Sequence, residues 1–268
     1  MTVLAVGCHP DDIEFMMVGT LFLLREKGAD IHYINVANGS CGTDEHSVRN
    51  IVRLRRAEAK AAAAFLGAFY HESLVDDLMV YYEDKIVRRM AAIVREVAPD
   101  IMLVPSLEDY MEDHMNTARI AVTAAFCRGM KNYGTKPKRA KISKDIAVYH
   151  AEPYGLHDGM RKRIVPEIYI DITPAIEKKR KMLAMHHTQK KWLDTSQGMN
   201  AYLEAMTSMS AAVGSMSMRY EYAEGFRQHC TRGLSAINYD PLMQVLGTKA
   251  IYAENGRKDG ARGENKKQ

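Results

Sequence analysis

The sequence predicts an α/β protein, a Rossmann-like three-layer sandwich with a mostly parallel central sheet and a C-terminal elaboration. Short, nearly all-apolar segments alternate with helical segments through the first half, a pattern typical of strands covered on both faces. Strands separated by single helices imply right-handed crossovers and parallel pairing. The chain has 268 residues, of which 47% are hydrophobic and 26% charged, enough to bury a sizeable core.

The elements follow one another along the chain at regular intervals. We predict strands at residues 2–7, 30–36, near 69, at 100–105, 145–150 and 167–172. We predict helices at residues 15–27, 46–66, 84–97, 117–130 and 174–187. Residues 191–214, rich in Met and Ser, favour no element. The sequence therefore predicts one domain over residues 1–256, followed by a basic flexible tail over residues 257–268.

Composition and charge exclude several classes of protein. The net charge of +4 lies mostly in that tail, which has five Lys and Arg against two Asp and Glu, so we expect no nucleic-acid partner. The longest apolar stretch has ten residues, and a membrane span needs about 20. The N-terminus lacks a signal-peptide pattern, and the four cysteines form no CxxC pair. We therefore expect a cytoplasmic protein, and the sequence leaves a homo-oligomer open.

Two clusters of chemically active residues follow predicted parallel strands. His9, Asp11 and Asp12 come directly after the first strand, and an acidic segment over 108–113 followed by His114 comes after the fourth. Ligands of open α/β sheets bind beyond the carboxyl ends of the strands, where these clusters converge. The alternative is that an aspartate caps the next helix and that His9 only packs.

The two clusters together contain the ligands of a metal site. His9, His114 and one aspartate of the pair Asp11/Asp12 suit Zn²⁺ with an open position for water, and Fe²⁺ uses the same set. The other aspartate is then free to act as a general base on the metal-bound water. The spacing alone does not decide which aspartate has which role.

Further motifs extend along the chain in a recognisable order. The first motif is the segment Val6–Gly7–Cys8–His9–Pro10–Asp11–Asp12–Ile13–Glu14. Five shorter motifs follow it along the chain: Asn38–Gly39–Ser40–Cys41–Gly42, Arg55–Arg56–Ala57–Glu58, Asp113–His114, His186–His187–Thr188–Gln189 and Tyr222–Ala223–Glu224–Gly225–Phe226. In this order and spacing the chain resembles the LmbE/PIG-L family of zinc-dependent N-deacetylases, whose first signature reads A-H-P-D-D-E. The acid that follows the two aspartates is displaced here by one position, to Glu14.

The resemblance implies a role for each matching residue. It implies that His9, Asp12 and His114 bind zinc, that Asp11 is the general base, and that Arg55 binds substrate near the metal. We also expect Tyr110 and Asp113 to contact substrate. Many relatives read H-P-D-H at the third signature, and here Met111 replaces the first histidine, which assists catalysis in those relatives. We predict that His186 supplies the missing donor to the amide oxygen; the alternative is that it ends a helix.

These expectations lead to a main function and two alternatives. The main prediction is a metal-dependent hydrolase that removes an acyl group, most simply acetyl, from an N-acylated amino sugar or glycoside, a small-molecule partner. One alternative is a family member that acts on a non-sugar amide. The other is a nucleotide- or cofactor-binding module, which the missing GxGxxG after the first strand and the two acidic clusters disfavour.

Overall fold

The computed structural model describes residues 1–197, 201–236 and 239–253, with the side chains of 194–197 left out. Within this part of the chain, eight strands form one sheet. Their order across the sheet is β3 (Phe69–His71), β2 (Asp30–Asn35), β1 (Thr2–Gly7), β4 (Ile101–Val104), β5 (Ala147–Ala151), β7 (Ala223–Gln228), β6 (Ile168–Asp171) and β8 (Ala250–Tyr252). The pairs among the first five strands of that order are parallel, and the pairs on the other side of β5 are antiparallel. The predicted fold class is confirmed.

The parallel half alternates strands and helices as the sequence predicts. Its strands are β1 (Thr2–Gly7), β2 (Asp30–Asn35), β3 (Phe69–His71), β4 (Ile101–Val104) and β5 (Ala147–Ala151). Its helices are α1 (Asp12–Met16), α2 (Val18–Glu26), α3 (Val48–Leu66), α4 (Asp84–Val97) and α5 (Glu112–Phe126).

Side chains of β1 alternate between the two faces of the sheet and thereby define two cores. Val3 and Ala5 pack with α2 and α3 on one face, whereas Leu4 and Val6 pack with α4 and α5 on the other. Successive residues of a strand point to opposite faces, so an all-apolar strand needs a covering layer on each side. This arrangement is the three-layer sandwich.

Two helix boundaries differ from prediction in ways that affect the carboxyl edge of the sheet. The helix predicted over 15–27 begins earlier and breaks at Met17, whose φ of −146° is not helical. Helix α5 begins at Glu112, five residues before its predicted start. Charged residues 112–114 are therefore helical, although their polarity is typical of a loop.

The C-terminal half contains more regular structure than the sequence predicts. Its elements are α6 (Ile176–Leu183), α7 (His187–Gln197), α8 (Ala201–Met216), α9 (Pro241–Leu246), β6 (Ile168–Asp171), β7 (Ala223–Gln228) and β8 (Ala250–Tyr252). The helix predicted over 174–187 is thus divided between α6 and α7, and the unassigned segment over 191–214 lies mostly in α7 and α8. Among the described helices, none has the length and apolar character needed to cross a membrane. The predicted basic tail lies outside the described residues.

Candidate active site

A cavity of about 370 Å³ opens beyond the carboxyl ends of β1, β4 and β5. Five acidic residues line it: Asp11, Asp12, Asp77, Asp109 and Glu152. Five aromatic residues also line it: Phe15, Tyr110, Tyr154, Trp192 and Tyr202. A pocket with this many carboxylates repels phosphate groups, and this disfavours the nucleotide-binding alternative.

His9, Asp12 and His114 converge in this cavity, as the two sequence clusters predict. One ligand atom of each lies within 4.8 Å of the others. Asp12 Oδ2 is 3.7 Å from His9 Nδ1 and 3.5 Å from His114 Nε2. Ligand atoms at about 2.0–2.2 Å from a tetrahedral zinc ion lie roughly 3.3–3.6 Å apart. The three side chains therefore fit a divalent metal.

Carboxylates behind the two histidines fix the orientation of their rings. Asp109 Oδ1 lies 3.1 Å from His114 Nδ1, and Asp113 Oδ2 lies 3.3 Å from His9 Nε2. Asp113 Oδ2 also accepts a hydrogen bond from the Leu78 backbone N–H at 2.7 Å. Such partners on the far nitrogen of a histidine select its tautomer and direct the other nitrogen at the metal. This contact places Asp113 behind His9, outside the set of residues that line the cavity.

Asp12 is held as an anion at the end of β1. Its Oδ2 accepts hydrogen bonds from the backbone N–H groups of Cys8 and His9, at 3.0 and 2.8 Å. Although burial favours the protonated form, the charge of His114 and the bonds from His9 hold the pKa of Asp12 well below its usual range. An anionic carboxylate is the form that binds a metal.

Asp11 occupies a different environment from its neighbour. Its φ of 120° is strained for a residue with a side chain, and its side chain does not cap α1. Tyr202 Oη donates a 2.7 Å hydrogen bond to Asp11 Oδ2, and Arg55 Nη2 lies 3.6 Å from Oδ1. Burial raises the pKa of Asp11 to about 6, against the lowering effect of Arg55. The adjacent aspartates therefore have opposite pKa shifts.

The glycines of the segment 38–42 make room for Arg55. Arg55 is 2% exposed, and its guanidinium donates to the carbonyl of Pro10. A Cβ on Gly39 or Gly42 would overlap with the Arg55 side chain, and Gly39 has a φ of +79°. Asp77 fixes the loop by accepting hydrogen bonds from the N–H groups of Gly39 and Cys41, at 2.6 and 2.9 Å. The loop thus lets an arginine on α3 reach the cavity.

The rest of the motif on α3 connects to α7. Glu58 accepts hydrogen bonds from the backbone N–H of Thr188 at 2.9 Å and from its hydroxyl at 2.7 Å. The first turn of α7 contains Thr188, so Glu58 satisfies one of its free N–H groups. Gln189, the next residue, lines the cavity. Two motifs far apart in sequence therefore form one contact.

His186 lies beneath the cavity rather than in its wall. It is fully buried in the connection between α6 and α7, and its Nε2 is 3.2 Å from Glu14 Oε1. Glu14 is also fully buried and accepts hydrogen bonds from the Tyr33 hydroxyl at 3.1 and 3.2 Å. The displaced acid of the first signature is thus part of a buried pair. His186 is not among the residues that line the cavity, where a donor to substrate has to lie.

The other residues predicted to contact substrate have clear positions. Arg55 and Tyr110 line the cavity, and Tyr110 is 56% exposed, with its ring centroid 5.7 Å from that of His114. Met111 also lines the cavity. Cys8 lies beside His9, but burial raises the pKa of its thiol to about 11, so it is a protonated packed side chain.

Sequence reasoning missed several residues of the cavity wall, among them Tyr202, Trp192 and Glu152. Tyr202 and Trp192 lie in the segment for which no element was predicted. Glu152 follows β5, and the rule that ligands bind at carboxyl ends of strands could have identified it.

The cavity, the convergent side chains and the sheet order define a class of protein: α/β proteins with a candidate metal site at the carboxyl edge of the sheet. Residues 4–125 match the family "PIG-L: GlcNAc-PI de-N-acetylase". Over these residues the match confirms the resemblance of the motifs to the LmbE/PIG-L family.

Two relatives and one solved structure extend the comparison beyond the matched segment. The chain is 25% identical over 231 residues to diacetylchitobiose deacetylase of Thermococcus kodakarensis, covering 84% of this chain and 82% of the relative. It is 29% identical over 184 residues to 4-oxalmesaconate hydratase of Pseudomonas putida, covering 66% and 69%. The structure of N,N'-diacetylchitobiose deacetylase from Pyrococcus horikoshii shares the fold, with a TM-score of 0.70, 22% identity and coverage of 90% of this chain and 88% of that one.

Proposed function

We propose that the protein is a metal-dependent hydrolase that removes the acetyl group of an N-acetylated amino sugar or its glycoside. The observation that carries the proposal is the convergence of His9, Asp12 and His114 around one point of the cavity, with Asp11 beside them. The family match and the similarity to a diacetylchitobiose deacetylase support the substrate class.

We propose that His9, Asp12 and His114 hold a divalent metal, zinc by preference. Two imidazole nitrogens and one carboxylate oxygen suit zinc, and Fe²⁺ accepts the same set. When bound, such a metal lowers the pKa of a water ligand and polarises a carbonyl oxygen. Asp109 and Asp113 are positioning residues, because each contacts the far nitrogen of one histidine.

Asp11 supplies the proton transfers of the reaction. It is outside the ligand set, and its pKa is raised towards the range in which a carboxylate both accepts and returns a proton near neutral pH. It takes a proton from the attacking water and returns it to the amine as the C–N bond breaks. Tyr202 and Arg55 fix its two oxygens, so neither can rotate away from the substrate.

The donor to the amide oxygen is assigned to Tyr110 in place of His186. The hydroxyl-bearing ring of Tyr110 lines the cavity beside His114, whereas His186 lies below it against Glu14. Removing one donor from a developing oxyanion costs about 10²–10³ in rate. Tyr110→Phe is therefore expected to lower kcat by that factor with metal retained. If His186→Ala has that effect while Tyr110→Phe does not, His186 is the donor, as the sequence predicts.

The decisive experiment combines metal analysis with a substrate panel. The purified protein should contain about one divalent ion per chain, and His114→Ala should lose most of it. Free-amine release is then measured with N-acetylglucosamine, its glycosides, chitobiose derivatives and non-sugar acetamides. Full metal content in both His9→Ala and His114→Ala would exclude the proposed metal site. Amine release from non-sugar acetamides alone would exclude an amino sugar as the substrate.

A second candidate function is hydration of a carbon–carbon double bond in an unsaturated carboxylate. The 29% identity to a hydratase favours it. Met111 supports it as well, since it stands where the resemblance places a histidine that assists catalysis in many deacetylases. The same panel tests this candidate when it includes a conjugated dicarboxylate. Loss of its ultraviolet absorbance, without amine release from any amide, would favour the hydratase.

A further inference from the structure

Glu152 is a buried carboxyl group to which the mechanism gives no role. It follows β5 directly, is 4% exposed and lines the cavity. Neither carboxylate oxygen has a hydrogen-bond partner among the described residues. Buried polar groups are nearly always hydrogen-bonded, because an unsatisfied one costs about 1–3 kcal/mol. A group in this state needs a partner that the part of the chain described by the structure does not supply.

The surroundings of Glu152 keep protein partners away from it. The positive charge of Arg227 acts on Glu152. Its guanidinium, however, pairs with Glu108 at 2.7 Å and contacts Ser106 at 3.3 Å. Gly225 on β7 leaves the space that the side chain fills, because a Cβ there would lie 2.9 Å from Glu152 Cγ. The fold thus makes room for the carboxyl group and leaves both of its oxygens free.

The state of the carboxyl group indicates the chemistry of its partner. Burial raises the pKa of Glu152 to about 7, so near neutral pH the protonated and ionised forms coexist. A protonated carboxyl group both donates and accepts a hydrogen bond. A hydroxyl group has the same two capacities, so the two are complementary.

We propose that Glu152 is a specificity-determining residue that binds a hydroxyl group of the substrate sugar. The inference rests on the proposed function and adds to it a preference for polyhydroxylated substrates over plain acetamides. The aromatic rings of Tyr154 and Phe15, whose centroids are 5.3 Å apart in the same cavity, supply apolar surface for the carbon skeleton.

The test measures sugar binding without turnover. Trp192 is the single tryptophan of the chain and lines the cavity, so its fluorescence reports on occupancy. All proteins carry Asp11→Asn to prevent hydrolysis, and the probe is N-acetylglucosamine. Glu152→Leu is expected to weaken binding by about 10-fold or more, the effect of losing a hydrogen bond in a dry site. Glu152→Gln keeps one donor and one acceptor and is expected to stay within about threefold of the parent.

Thermal unfolding distinguishes recognition from a structural role. Because Glu152 has no hydrogen-bond partner among the described residues, Glu152→Leu is expected to raise the midpoint of unfolding by about 2 °C or more. A fall of several degrees would show that the carboxyl group supports the fold and would overturn the proposal. Glu221→Leu is the matched control, since Glu221 is exposed, lies just before β7 and does not line the cavity. It should leave sugar affinity unchanged.

The outcomes separate this proposal from the proposed function. Binding that depends on Glu152, without amine release by the native chain, refutes the deacetylase and keeps the hydroxyl-binding role. Amine release combined with equal affinity in Glu152→Leu overturns the role of Glu152 and keeps the deacetylase. Absence of any sugar binding overturns the role of Glu152. A preference for a cationic probe such as glucosamine that Glu152→Gln abolishes would assign Glu152 to an ammonium group and also overturn the proposal.

Discussion

Two buried glutamates, one on β7 and one directly after the adjacent strand β5, have very different surroundings in this fold. Glu224 on β7 is 3% exposed and accepts hydrogen bonds from Lys179 Nζ at 2.7 Å and from the N–H groups of Gly19 and Thr20 at 2.8 and 2.7 Å. Glu152, after the neighbouring β5, is 4% exposed and has no hydrogen-bond partner in the described structure. The two side chains are therefore almost equally buried, and they differ only in their hydrogen-bond partners.

The difference teaches where to look for function in this molecule. Glu224 joins the N-terminal turn of α2 to α6, so its charge is neutralised within the fold. Glu152 faces a cavity, and its oxygens stay available for a ligand. Unsatisfied carboxyl groups of this kind occur in binding sites, where they lower the stability of the fold.

The largest expected effect concerns Asp11, another cavity carboxylate, whose side chain the protein satisfies only in part. Asp11→Asn keeps the shape but cannot accept a proton, so turnover of the acetylated sugar should fall by about 10²–10⁴ with bound metal retained. Asp12→Asn should instead lose metal. Asp44→Asn, an exposed aspartate, is the control and should change neither. The reverse pattern for Asp11 and Asp12 would exchange their roles.

The next effect concerns the satisfied glutamate. Glu224→Ala leaves Lys179, which is 1% exposed, without its carboxylate, so the free energy of unfolding should fall by about 3–5 kcal/mol. Chemical denaturation measures this loss. Because Glu224 does not line the cavity, kcat per folded molecule should stay within about twofold at low temperature. A stable Glu224→Ala protein would remove the contrast with Glu152.

A smaller effect concerns the pH dependence of stability that Glu152 causes. Here the native side chain, rather than its substitution, lowers the free energy of unfolding. Its folded-state pKa of about 7 exceeds the ordinary value of 4.5, so the unfolded chain releases this proton first as pH rises. Wild-type stability should therefore fall relative to Glu152→Gln between about pH 4 and pH 7 and then level off, by about 3 kcal/mol in total. Arg227, Glu108, Arg163 and Glu167 are the charged groups that act on it. A constant difference between the two proteins across this range would mean that Glu152 titrates normally.

The smallest effect concerns the contact between the α3 and α7 motifs. Thr188→Ala removes the hydroxyl that Glu58 accepts at 2.7 Å but keeps the backbone bond, so the free energy of unfolding should fall by about 1 kcal/mol. Thr207→Ala, whose hydroxyl only bonds back to its own helix, is the control. Equal losses in the two variants would show that the contact between the helices adds nothing specific.

Much of the parallel half was accessible from the sequence because local patterns determine it. All-apolar strands such as Thr2–Gly7, and helices that end at Gly67 or before Pro99, give the alternation that the structure confirms. The three metal-ligand candidates converge because the carboxyl ends of parallel strands share one edge. Of the antiparallel strands, β6 was predicted at residues 167–172, whereas β7, β8 and α8 escaped prediction, since their burial depends on partners distant in sequence.

The sequence by itself determined the fold class, the two acidic clusters and the family motifs, because each rests on residue type and spacing over a few residues. Tertiary structure alone decided which side chains have partners. It placed His186 against Glu14, Asp113 behind His9 and Tyr202 on Asp11. It left Glu152 without a hydrogen-bond partner within residues 1–197, 201–236 and 239–253. The physical reason is that hydrogen-bond partners and burial are set by distances across the fold, and contacts such as that of Tyr202 with Asp11 join residues 191 positions apart.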